Sequence, residues 1–438
     1  MAAIDRDIIR LALPALGALI AEPIFLLTDT AMVGHLGADA LGSLAIASTI
    51  LQTVLGLMVF LAYATTPRVA KRMGAGDTRG AVGAGFDGIW LALATSVILL
   101  AVGLPLLSTA IAAFGPSPTI AAGAQSYLAI SWWGLPFMLV VIAATGLLRG
   151  LQDTRTPLVV AALGCVANIG LNALFIYGLG MGVAGSALGT VIAQAGMCAV
   201  YVLIALRAAR RFHASFRPDW AGVLTSAKTS GWLLLRNASL RASLIILVVL
   251  ATALGTTQLA AIQVAQSIFF ALALALDSLA IAGQALIGLQ LGAKAVDVVA
   301  AINRRLIAWG IGFGIVVGLI LIAGSGLIPY AFSSDPGVIA VLTGLLPILA
   351  VSMPVAGYVF VLDGVLMGAE DARYLALAQL VAVIGYVLLL GPITGLVPGA
   401  QGLWAAFCLG FVGLRAITLG WRVRNHRWIR TAVEKGIT

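Results

Sequence analysis

The sequence predicts an all-α integral membrane protein: twelve transmembrane helices in two six-helix lobes related by a pseudo-two-fold axis along the membrane normal. Three observations carry that prediction. They are a composition too apolar for a soluble fold, an alternation of basic and uncharged connections, and an internal repeat. Of the 438 residues, 61% are hydrophobic and 9% charged, whereas soluble domains carry about 25% charged residues. The formal net charge of +9 raises nucleic acid as a partner, but the placement of the charge assigns it to topology.

Runs of about 20 mostly apolar residues mark spans. They lie near 8–33, 41–66, 80–106, 119–148, 157–177, 183–208, 228–253, 259–290, 298–325, 338–367, 374–391 and 400–424. Lys and Arg residues fall at the N-terminus, in or beside alternate connections, in the seventh span (Arg236, Arg241), or at the C-terminal end. The connections 34–41, 107–118, 178–182, 254–258, 326–337 and 392–399 contain none. By the positive-inside rule the basic side is cytoplasmic and both termini lie inside. No cleavable leader is expected, because the first apolar run is too long for one and contains Pro14. Fifty-one glycines suit close helix packing in a membrane. Cys165, Cys198 and Cys408 stand isolated in apolar segments and read as packing residues, without metal-ligand spacing.

The repeat is in register over a long stretch. Leu36-Gly37 matches Leu254-Gly255, Gly74-Ala75 matches Gly292-Ala293, and Pro136 matches Pro354, each 218 residues on. Leu148-x-Gly150-x-x-Asp153-x-Arg155 likewise matches Leu366-x-Gly368-x-x-Asp371-x-Arg373. After a one-residue deletion, Gly182 and Gly185 match Gly399 and Gly402 at an offset of 217. The expected organisation is a lobe at 1–206, a basic cytoplasmic linker at 207–228 and a second lobe at 229–438. Six spans per lobe is an even number, so both lobes start on the same side, the parallel repeat of secondary transporters. The acids break the symmetry: Asp29 corresponds to Leu247, Asp363 to Thr145 and Asp277 to Val59.

Those acids are the candidate functional residues. An ionised carboxylate in hydrocarbon costs several kcal/mol, so an acid within a span faces protein or a wet cavity and marks a site by default. Asp29 ranks first. Glu22 lies seven residues earlier, almost two turns, on the same helix face. Asn168 and Asn172, one turn apart in the fifth span, and Thr190 in the sixth are placed to line a polar pocket facing Asp29. Two readings stay open for them: oxygen ligands or hydrogen-bond partners at an ion-coupling site, or ordinary interhelical bonds of about 0.6 kcal/mol each. Asp277 and Asp363 are secondary ion or substrate candidates. Arg236 is near enough to the inner end to snorkel, and Arg241 less so. His35 reads as a solvated loop residue, and Asp153 and Asp371 as loop-fixing groups.

No GxxxxGK[ST], HExxH or GxSxG sequence is present and there are three histidines. The chain is therefore not expected to be an enzyme or an ATP-driven pump, and it calls for no metal or cofactor beyond H⁺ or Na⁺ as coupling ion. A membrane enzyme or channel is the different-class alternative, and the two-lobed repeat argues against it.

The run AEPIFLLTDTAMVGHLGADALGSLAIA, the segment LRGLQDTRTP and GVAGSALGTVIAQ together resemble the multidrug and toxic compound extrusion (MATE) family, closest to its DNA-damage-inducible protein F (DinF) branch. The resemblance covers nearly the whole chain. It implies two six-helix lobes around a V-shaped cavity and efflux of organic, often cationic compounds in exchange for H⁺ or Na⁺. It also implies a multi-pass protein of the bacterial cytoplasmic membrane, monomeric, whose partners are small organic substrates and membrane lipids and no nucleic acid. In that family the acid of the first helix is the main coupling residue, which falls on Asp29, and a helix-bending proline falls on Pro14. The polar cluster of the first lobe falls on Asn168, Asn172 and Thr190, and an acid that some relatives use for a cation falls on Asp363. The chain departs at Asn172, where several relatives have Asp. One carboxylate fewer weakens a Na⁺ site and favours H⁺. A lipid or lipid-linked oligosaccharide flippase of the wider superfamily is the alternative, for which Arg241 is the one cationic candidate.

Overall fold

The computed structural model describes residues 2–424 and 427–434, and among them every regular element is helical. Eleven helices are long and apolar enough to cross a membrane, and a pair bent by 50° makes the twelfth. In chain order they are α1 (Ala2–Gly34), α2 (Ala38–Met58, resuming as Phe60–Gly74), α3 (Thr78–Ala112) and α4 (Pro118–Trp133, then Leu135–Gly150). The next four are α5 (Arg155–Ala173, continued by a π-helical Leu174–Gly178), α6 (Gly182–Arg211), α7 (Trp220–Ala253) and α8 (Thr256–Gly292). The last are α9 (Val296–Ala323), α10 (Pro336–Gly368), α11 (Ala372–Leu396) and α12 (Gly399–Ala405, π-helical Ala406–Phe411, Val412–Arg424). Every expected span has its helix. The main differences are α2, which runs on to Gly74, and α7, which starts at Trp220.

Local chemistry sets the ends. Asp77 accepts the Gly80 amide at 2.7 Å to start α3, and Asp335 accepts that of Gly337 at 2.7 Å to start α10, whose first residue is Pro336. The repeat is written in the backbone as well. Positive φ recurs at Gly37 and Gly255, Gly76 and Lys294, Gln152 and Glu370, and Gly182 and Gly399. The first three pairs are 218 apart and the last 217, and the π turn at Leu174–Gly178, one residue wider than an α turn, accounts for the change.

The chain forms two compact units, Leu13–Ser230 and a second made of the segment through Ala12 together with Gly231 onward. These boundaries differ from the expected ones at the N-terminal ends of α1 and α7. Residues 207–211 complete α6 and 220–228 begin α7, so the non-helical connection is only 212–219. Side-chain bonds explain the allocation. Asp5 at the start of α1 receives Arg305 Nη2 at 2.7 Å and Trp309 Nε1 at 2.8 Å from α9. In the other unit Arg68 of α2 donates to the Gly222 carbonyl at 3.0 Å and to the Ser226 hydroxyl, and Trp90 of α3 donates to the Phe216 carbonyl at 3.0 Å. Repeat arithmetic assigns residues by chain position and cannot see these bonds.

Within the second unit α10 packs against both α8 and α9. Close approach needs glycine there: a Cβ on Gly357 would stand 2.1 Å from the Gly310 carbonyl oxygen, and one on Gly364 would stand 2.3 Å from that of Ala280. In the first unit Gly146 of α4 plays this part against Ala62 of α2, and the Thr66 hydroxyl donates to the Gly146 carbonyl at 3.1 Å.

Candidate functional site: a polar cluster around Asp29

The first unit brings Asp29, Asn168, Asn172 and Thr190 together. Their relative exposures are 3%, 0%, 0% and 5%, so the four form one buried cluster. The Asn172 amide donates to one Asp29 carboxylate oxygen, and the Thr190 hydroxyl donates to the other at 3.4 Å. Asn168 donates to the Thr190 hydroxyl at 3.0 Å, and the two asparagine amides exchange bonds of 3.3 and 3.4 Å.

The sequence builds this locally. On α1 the hydroxyls of Thr28 and Thr30 bond back to the carbonyls of Ile24 and Leu26, leaving Asp29 as the polar group directed inward. The one-turn spacing on α5 stacks Asn168 and Asn172 on one face. Gly189 of α6 makes room, because a Cβ there would lie 2.0 Å from Asn172 Oδ1. The Tyr177 hydroxyl, in the π segment just beyond, donates to the Met32 carbonyl at 2.7 Å and fastens α5 to the C-terminal end of α1.

The cluster has one carboxylate, and among the described residues no three of His, Cys, Asp or Glu gather as a metal site would require. A hydroxyl and two amides around a single carboxyl serve either of its states. The Asn172 amide and the Thr190 hydroxyl donate to the carboxylate, and the hydroxyl and amide oxygens can accept from the protonated acid.

Glu22 is exposed, although seven residues on one helix put it on the face of Asp29. Pro14 is half-buried within a continuous α1, next to the Ala12/Leu13 boundary where the chain passes from one unit to the other. Asp277 is half-buried on α8.

Asp363 sits in a second buried cluster that corrects the reading of the arginines. Arg236, expected to snorkel, is buried and donates Nη2 to Asp363 Oδ2 at 2.7 Å and Nη1 to Asn237 Oδ1 at 3.0 Å. Arg241, the stronger candidate in the sequence, is exposed on α7. Five residues separate the two arginines, so at 3.6 residues per turn they point to different faces. Sequence reasoning missed Arg415, which donates to the same Asp363 oxygen from α12. By position it falls with the C-terminal basic end. The overlooked signal is its place nine residues inside the last apolar run, where a cation needs a partner. Asp277 adds a second negative charge that acts on Arg415.

This arrangement of two six-helix repeats with buried, asymmetrically placed charge defines a secondary transporter. The MatE family profile matches residues 14–174 and 233–393, one block in each half. The chain belongs to that family, whose members are multidrug efflux transporters. It is 29% identical to DNA damage-inducible protein F of Escherichia coli, over 97% of this chain and 94% of that protein. It is 28% identical to the probable multidrug resistance protein NorM of Bradyrhizobium diazoefficiens, over 97% of this chain and 94% of that one. Protein DETOXIFICATION 45 of Arabidopsis thaliana, a chloroplastic relative, is 27% identical over 99% of this chain and 81% of its own length. The fold is that of the Vibrio cholerae MATE transporter VcmN in its bent form, with a TM-score of 0.89 and 19% identity over 99% of this chain and 98% of that one.

Proposed function

We propose that this protein is a proton-coupled antiporter that exports organic, cationic or amphipathic compounds by alternating access. It would work as a monomer in a bacterial cytoplasmic membrane with both termini inside. The observation that carries the choice of ion is the composition of the buried cluster: Asp29 is its single carboxylate, and its neighbours Asn172, Thr190 and Ser186 are all neutral. Na⁺ retains a full charge that several oxygens must replace water around, and one carboxylate among neutral groups offers little net negative charge for it. A proton needs a single basic oxygen and a hydrogen-bond partner that can reverse its role, which the Thr190 hydroxyl is.

Protonation removes the charge of Asp29 and turns one of its oxygens from acceptor to donor. The Asn172 amide, itself a donor through nitrogen, then loses its acceptor at that oxygen unless it turns. The rearrangement would be passed along α1 through Pro23 toward Pro14, the two positions where a missing backbone N–H makes the helix easier to bend. Substrate and proton would compete for alternative arrangements of this helix. Purified protein in proteoliposomes, with pH and Na⁺ gradients imposed separately, tests the reading. Efflux of an organic cation such as ethidium should follow the pH gradient, and equal transport with Na⁺ alone would refute proton coupling.

A further inference from the structure

The first unit carries an open apolar groove of about 290 Å³ on α3, α4 and α6, away from the Asp29 cluster. Phe86 and Trp90 of α3, Phe137 of α4, and Cys198, Val202 and Leu206 of α6 form its walls. The indole N–H of Trp90 is taken by the Phe216 carbonyl at 3.0 Å, so the groove offers no polar group to a water-borne ligand.

Its mouth is basic. On α6 the wall residues recur every four positions, and the next step after Leu206 is the exposed Arg210. On α3, Arg79 precedes Phe86 by seven residues, hence the same face one end nearer, and it too is exposed. Arg217, exposed beside Phe216, adds a third charge. The neighbouring acids are engaged elsewhere: Asp77 accepts the Gly80 amide and Asp219 that of Ala221. The twelve residues from Cys198 to Arg210 span about 18 Å at 1.5 Å per residue. That is close to half of a hydrocarbon core about 30 Å thick. Apolar walls along one leaflet with arginines at the headgroup level match one chemistry.

We propose that the groove is a specific site for an anionic diacyl phospholipid, one acyl chain lying along α6 and the phosphate held by Arg79 and Arg210. The second half lacks the feature, since Arg304 and Ala308 stand where Phe86 and Trp90 do.

Native mass spectrometry of the full chain tests this with phosphatidylglycerol and phosphatidylcholine of identical acyl chains. One phosphatidylglycerol should be retained per protein in preference to phosphatidylcholine. Arg79→Gln with Arg210→Gln should weaken phosphatidylglycerol roughly thirtyfold, about fivefold per charge, and leave phosphatidylcholine unchanged. Both side chains are exposed, so this variant should fold. Val202→Trp, which fills the groove, should remove retention of both lipids. Phosphatidylglycerol brominated on its acyl chains should quench a fluorescence component that Trp90→Phe lacks. Equal retention of the two lipids by the unmodified protein, wild-type retention in the double arginine variant, or absence of Trp90 quenching would each overturn the proposal.

Discussion

Tyr386 and Phe407 meet edge to face with ring centroids 6.3 Å apart, in the places that Asn168 and Thr190 hold in the first half. The offsets are those of the repeat, 218 before the π turn of α5 and 217 after it. Leu247 and Leu390 likewise stand for Asp29 and Asn172. One scaffold therefore holds a buried polar cluster in one half and an aromatic core in the other. Trp404 and Phe411 extend that core by stacking on Phe407 at 5.8 and 5.5 Å. Asn168→Tyr with Thr190→Phe, which imports the aromatic pair, should abolish gradient-driven efflux measured in proteoliposomes while the protein still reaches the membrane.

The triad of Arg236, Asp363 and Arg415 has the build of a structural charge cluster. Its side chains are 6–8% exposed, so removal of the acid leaves two guanidinium groups buried without their carboxylate. Asp363→Leu alone should destabilise by about 3–5 kcal/mol, seen as a lower melting midpoint of the detergent-purified protein. Adding Arg236→Met and Arg415→Met should restore most of that loss, because an apolar replacement of a buried ion cluster is close to neutral. Efflux should return with stability. Recovery of stability without efflux would place Asp363 in the transport cycle instead.

Orientation is tested by thiol accessibility. Cysteines introduced at Ala113 and Ser334 should react with impermeant reagents from outside, and cysteines at Ala75 and Ser215 only from inside. All four positions are exposed, so protection reports sidedness. Cys165 and Cys408 are buried and contribute little background.

The seam between α9 and α10 predicts a steric loss. Gly357→Ala would set a methyl 2.1 Å from the Gly310 carbonyl oxygen, backbone that cannot turn aside. Overpacking of this kind costs about 1–3 kcal/mol. Gly312→Ala, two residues beyond Gly310 on α9 and facing away from the seam with nothing within 4 Å of its Cβ, should leave the melting midpoint unchanged.

What the sequence showed and hid follows physical lines. Apolar run length located the spans because the thickness of the bilayer imposes it. The Asp29 cluster was legible because an acid in hydrocarbon is conspicuous and the i, i+4 spacing of Asn168 and Asn172 fixes their shared face. Arg415 was hidden by its nearness to the basic C-terminal end, and Arg236 by a snorkelling route that its burial closes. The allocation of the N-terminal ends of α1 and α7 depends on bonds such as Asp5 to Arg305, which span 300 residues and leave no periodic trace.

Asp29 and Asn172 give the sharpest test of coupling. Asp29→Asn keeps the shape and hydrogen-bonding capacity of the protonated acid but cannot release a proton. It should fold, bind ethidium with affinity close to that of the unmodified protein, and show no efflux driven by a pH gradient. Thr190→Val removes the reversible partner at 3.4 Å and should slow efflux by roughly tenfold, the effect of one hydrogen bond to a charged group of about 1.5 kcal/mol, without abolishing it. Asn172→Asp acts in the opposite sense. It sets a second carboxylate in direct contact with Asp29 inside a buried cluster, where two adjacent negative charges are stable together only with a cation or a shared proton between them. Na⁺ with the Asn168 and Thr190 oxygens nearby supplies that cation, so the variant should gain Na⁺-stimulated efflux at neutral pH that the unmodified protein lacks. Efflux by Asn172→Asp that ignores Na⁺, together with pH-driven efflux by a well-expressed Asp29→Asn, would remove this cluster from the coupling mechanism.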